Sequence, residues 1–167
     1  MFIIYRSNTN HMENLQQKEQ FLRFEFTKKL AALDADAPRK WGKMNVQQMI
    51  EHFADAVRTA SGQLHLSQLT PEENIARMQA FLESEKPFKE NTPNPHMPDT
   101  PDPVKHASKQ EAIDHLQNEL DHFFTAYENE AGKKAINPFF GALDFDQQVQ
   151  LLYKHAQHHL NQFGVTI

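Results

Sequence analysis

The chain has 167 residues, 39% of them hydrophobic and 23% charged, with a formal net charge of −5. That much apolar material supports one packed domain and excludes a chain held open by its own charge. An acid excess without any run of Lys or Arg removes the attraction that carries most nucleic-acid affinity, so no nucleic-acid partner is expected.

Cysteine is absent. Disulfides, thiolate ligands and a cysteine nucleophile are therefore excluded, and any metal must sit on nitrogen or oxygen. The apolar run Phe2-Ile3-Ile4-Tyr5 stops at Arg6, and no stretch reaches the roughly 20 apolar residues that cross a bilayer. A cytoplasmic protein without a membrane partner is expected. Residues 1–13 read as a weakly ordered tail in which Met12 is a second candidate start, followed by a single domain from 14 to 167.

Apolar residues recur every three or four positions and β-branched alternation is scarce, which predicts an all-α fold. Helices are expected at about 15–33, 46–60, 71–84, 109–129 and 145–163. Each follows a side-chain acceptor with Gln or Glu three residues on: Asn14/Gln17, Asn45/Gln48, Thr70/Glu73 with Pro71 as first helical residue, Ser108/Glu111 and Asp144/Gln147. The second helix gathers Val46, Met49, Ile50, Phe53, Val57 and Ala60 on one face. The fourth gathers Ile113, Leu116, Leu120, Phe123, Phe124 and Tyr127, and the last Phe145, Val149, Leu152, Ala156, Leu160 and Phe163. Such stripes predict an up-down four-helix bundle, with the shorter third helix as an extra piece. Phe21, Phe24 and Phe26 cannot share one narrow stripe, which suggests either a broad buried face or a homodimer surface. Six prolines crowd between Pro87 and Pro103. This connection cannot be helical and is expected to cross the bundle in extended or turn conformation, where it could cover a mouth.

Ten histidines remain to be explained. His155 and His159 are four residues apart, so their side chains lie about 40° apart around the axis and one turn along it, a spacing that suits one metal ion. Heptad numbering puts Phe145, Leu152 and His159 at one seam position, so His159 falls where a core residue belongs. A buried imidazole is costly unless its nitrogens are bonded. His52, beside Phe53 on the interior edge of the second helix, can face that seam. His52, His155 and His159 form the expected ligand set, with His158 as the rival at i+3. Gln162, one turn beyond His159, is a candidate to bond a ligand. Glu51 is expected to point outward, and no general base is assigned. His115, Glu119 and His122 include a Glu-x-x-His pair, but His115 and His122 project away from the fourth helix's seam, so the group reads as a solvated face; His65, His96 and His106 fall in loops and His11 in the tail. Nucleotide-binding glycine loops, a Gly-x-Ser-x-Gly elbow and His-Glu-x-x-His are all missing.

Three segments carry a family likeness. They are Trp41-Gly42-Lys43-Met44-Asn45-Val46-Gln47-Gln48-Met49-Ile50-Glu51-His52, Asn137-Pro138-Phe139-Phe140-Gly141, and Tyr153-Lys154-His155-x-x-His158-His159-Leu160-x-Gln162-Phe163-Gly164. Together they resemble the DinB-like superfamily of metalloenzymes, in a branch of unknown function. The resemblance covers roughly residues 40–60 and 137–164. It implies a four-helix bundle with a divalent metal, zinc or nickel foremost and iron or manganese as alternatives, on three histidines that match His52, His155 and His159. It also implies chemistry with low-molecular-weight thiols and a homodimer in many members. Relatives often carry His where Asn137 stands, so that position is left out of the site. The expected function is thus a metal-dependent hydrolase or thiol transferase acting on a small molecule. The alternative is a non-enzymatic binding bundle with structural histidines.

Overall fold

The computed structural model describes residues 3–92, 95 and 99–167, with side chains from Met12 onward. The chain runs through α1 (Ile3–Gln20), a π-helical turn (Phe21–Glu25), α2 (Phe26–Ala32), α3 (Val46–Ser61), α4 (Glu72–Glu83), α5 (Lys109–Asn129), a hairpin of β1 (Ala135–Asn137) and β2 (Gly141–Leu143), and α6 (Phe145–Gln162). The all-α expectation holds apart from this short hairpin, and no helix among the described residues is long and apolar enough to cross a membrane.

Three predicted helix starts are confirmed by their caps. Asn45/Gln48 and Asp144/Gln147 form full reciprocal boxes, and Ser108 accepts from the Glu111 amide. Two are not. At α4 the Thr70 amide donates to Pro138 O, Pro71 is extended, and the helix begins one residue late without a side-chain cap. Asn14 lies inside α1, because nothing between Ile3 and Asn14 breaks a helix: that stretch has neither Gly nor Pro. The upstream turns then satisfy the amides that Asn14 would have capped. Side chains 1–11, His11 among them, and His96 lie outside the described residues.

The π-helical turn answers the crowding of phenylalanines. Phe26 N–H bonds Phe21 O, five residues back, and the extra residue lets Phe21 and Leu22 face the core together with Phe26 and Leu30. Phe24 is left 58% exposed. Below the turn, Lys109 Nζ, at the start of α5, caps the last carbonyls of α2 by donating to Leu30 O, Ala31 O and Leu33 O.

One core joins the apolar faces of α2, α3, α5 and α6, with Phe26 against Phe53 and Phe123 against Phe124. A smaller cluster of Leu82, Phe140, Leu143 and Leu151 seats α4 and the hairpin on α6. In the hairpin, Ala135 pairs with Leu143 and Asn137 with Gly141. Asn137 Oδ1 closes the turn by accepting from the Phe139 and Phe140 amides. The returning end of the Pro-rich segment is tied to the start of α3: Asp99 O accepts from Lys43 Nζ, Asp102 O from Gln48 Nε2 and His106 O from Gln47 Nε2.

Candidate metal centre

His52 comes from α3 and His155 and His159 from α6, and the structure brings all three together. One ligand atom of each lies within 4.8 Å of the others, a group that could hold a metal ion. His155 Nε2 is 2.8 Å from His159 Nε2 and 3.3 Å from His52 Nε2. For comparison, two imidazoles on a tetrahedral zinc have nitrogens about 3.3 Å apart, from bonds of about 2.0–2.1 Å. The heptad reading explains the placement. His159 occupies a seam position and is 4% exposed, while His52 and His155 keep an edge toward solvent. Phe53, packed on Phe26, lies 5.0 Å from the His155 ring and forms an apolar floor.

Gln162 has a different task from the ligand-binding one read in the sequence. Its Oε1 lies 3.0 Å from His159 Nδ1 and its Nε2 donates to Trp41 O at 2.8 Å. With the amide oriented this way, Nδ1 carries the proton of His159 and the Nε2 lone pair points at the other two histidines. The loop before α3 closes on the same end of α6, where Lys40 N–H donates to Gln162 O. Gly42 has φ +77°, and a Cβ there would sit 2.4 Å from Gln162 Nε2. A side chain here would strain the backbone and displace the end of the Gln162 amide.

Burial dominates the electrostatics. It pushes His52 down to about 4, with Asp55 opposing and His158 and Lys105 adding to the shift. It holds His155 and His159 well below the usual imidazole range, reinforced by the neighbouring histidines. All three rings are neutral at pH 7, which keeps their lone pairs available. Because these folded values lie below the unfolded one near 6.5, the metal-free protein holds its full stability above that pH. It loses stability as the pH falls toward 4, by roughly 3 kcal/mol for His52 alone. Urea denaturation of chelator-treated protein between pH 7 and 4.5 should show this slope; a flat profile would contradict it.

His158 is not part of the trio. It lies edge-on to His159 at 5.2 Å, to Trp41 at 5.8 Å and to Phe88 at 6.4 Å. Burial lowers its pKa against the opposing pull of the Phe88 backbone and Glu90. Glu51 corrects the sequence reading: it is 6% exposed and turned inward under the Pro-rich segment. The Lys105 and His106 amides, the His106 ring and Gln47 all reach its carboxylate. Burial alone would raise its pKa, but these bonds outweigh it and the net shift is downward. The His115 ring lies 5.0 Å from that of His106, tilted by 31°, and approaches Glu119, so it is only partly solvated, whereas His122 and His65 are exposed.

The parts that sequence reasoning missed are the supports: Trp41, Gly42, Phe88 and the buried Lys154. The single tryptophan followed by glycine was the available signal. Comparison with family models, curated proteins and solved structures finds no match for this chain.

Proposed function

We propose that the protein is a divalent-metal-dependent enzyme, built as a four-helix bundle of the DinB-like type, in which His52, His155 and His159 hold the ion. The convergence of three Nε2 atoms carries this reading. The donor set fits: three neutral imidazoles suit zinc or nickel, and also iron or manganese. Gln162 presents His159 in the required tautomer. A bound ion of this kind lowers the pKa of a coordinated water or thiol and so supplies a nucleophile at neutral pH. With no cysteine in the chain, a thiol must be a diffusible low-molecular-weight one. Glu51, with its oxygens taken by four donor groups, is not a free base.

One observation favours a second reading. An N–H···N bond between His155 and His159 would give the 2.8 Å contact without any ion, as in a binding protein with structural histidines. Elemental analysis of protein purified without a histidine tag separates the two. About one equivalent of divalent metal, followed by metal-dependent hydrolysis or thiol transfer, supports the enzyme. Absence of metal, with stability unchanged on adding zinc or nickel, supports the binding protein.

Gly42→Ala tests the support of His159. The new Cβ would drive Gln162 away and break both bonds of its amide. We expect metal affinity to fall about 10- to 100-fold in chelator competition. Gly132→Ala has the same backbone strain, at φ +75°, but nothing within 4 Å of its Cβ. It should lose about 1 kcal/mol of stability and keep wild-type affinity.

A further inference from the structure

We infer that the returning limb of the Pro-rich connection, residues 99–106, is a strap latched beside the metal centre by Glu51, and that its release sets how fast an ion enters and leaves the three histidines. The inference rests on the metal reading above.

The attachment points follow α3 past His52. Gln48 stands one turn before His52 and donates to Asp102 O; Glu51 stands next to it and accepts from the Lys105 and His106 amides; Asp55 stands one turn after and accepts from Lys105 Nζ at 2.8 Å. Positions three and four apart on a helix are surface neighbours, so the limb runs along the flank of that ring. The Lys105 charge is felt at His52 in keeping with this path. The departing limb reaches the other side of the trio. Phe88 lies edge-on to His158 at 6.4 Å and its backbone bonds the His158 side chain, while the His158 ring lies 5.2 Å from that of His159.

What holds the returning limb is polar. From Glu85 to Ser108 none of the described residues is buried, so the limb can lift without exposing the core. Opening then costs a handful of hydrogen bonds, the condition under which a segment opens locally while the rest of the fold stays closed. Those bonds converge on one group. Glu51 is 6% exposed, and of the four donor groups on its carboxylate three belong to Lys105 and His106. A buried carboxylate is costly unless it is bonded, and here the bonds that satisfy it are the ones that close the strap.

The test uses the full chain and zinc alone, with uptake and loss followed by stopped flow against a chromophoric chelator. Glu51→Gln turns one acceptor oxygen into a donor that faces backbone amides. We expect uptake and loss both to quicken about tenfold, and trypsin to cut after Lys105 faster by a similar factor. Removing a nearby negative charge would by itself slow the arrival of a cation, so faster uptake marks an opened strap. Gln47→Ala keeps the carboxylate and removes the anchor of His106 O; it should quicken both rates in the same direction by a smaller factor. Faster cleavage with unchanged zinc rates, or faster loss with slower uptake, overturns the strap and leaves the metal centre standing; so do zinc rates and cleavage that both stay at wild-type values. If the wild-type chain takes up no zinc, the metal reading itself fails and this inference falls with it.

Discussion

Replacing His159 with alanine is expected to take the protein from about one equivalent of bound divalent metal to less than about a tenth, and His52→Ala and His155→Ala should do the same. A site with three protein ligands cannot lose one and keep tight binding, because these are the only described histidines, acids or cysteines grouped closely enough to coordinate. His159→Ala also strips Gln162 Oε1 of its donor in a buried place, adding about 1–3 kcal/mol of destabilisation. His122→Ala and His65→Ala, at exposed positions, are the controls and should keep full metal. Elemental analysis of the purified variants reads the result. Full metal in any one of the three ligand variants removes that residue from the site.

Lys154→Met is expected to destabilise the fold by about 1–3 kcal/mol, measured as a lower urea midpoint with an unchanged slope. Lys154 is 4% exposed and its Nζ donates to Phe81 O, Leu82 O and Ser84 O, the carbonyls at the end of α4. It also lies 4.4 Å from the centroid of the Phe81 ring and 5.3 Å from that of Phe88. Burial lowers its pKa, with Glu85 opposing and Lys18 adding to the shift. Methionine matches the stem but brings no donor. Replacing a buried charge by an apolar group is harmless where its partners leave too; here the partners are backbone carbonyls that stay, and although Phe81 O keeps Ser84 and Leu82 O keeps Gln150 as donors, Ser84 O loses Lys154. Because Lys154 also seats Phe88 beside His158, the variant should loosen the wall of the centre. A midpoint within about 0.5 kcal/mol of wild type would mean that water serves those carbonyls equally well.

Local chemistry made much of this legible in the sequence. The caps at Asn45, Ser108 and Asp144 act over three residues, so the starts of α3, α5 and α6 could be read from the chain. The same periodicity that buried Leu152 placed His159 on the seam, and with it the trio. What escaped depends on contacts between distant residues. Glu51 turns inward because Lys105 and His106, more than fifty positions away, supply donors. The role of Gln162 depends on Trp41, 121 positions earlier. The hairpin strands are three residues each, too short for an alternating pattern to show. The π-helical turn is a compromise among Phe21, Leu22 and Phe26 that no fixed helical period expresses.

X-ray absorption at the edge of the metal carried by tag-free protein addresses the central claim most directly. Imidazole scattering from three rings, with at least one further light ligand that changes when an anion is added, is the predicted spectrum. Protein that carries no metal after growth and purification without chelators, or a spectrum without imidazole scattering, would contradict the account.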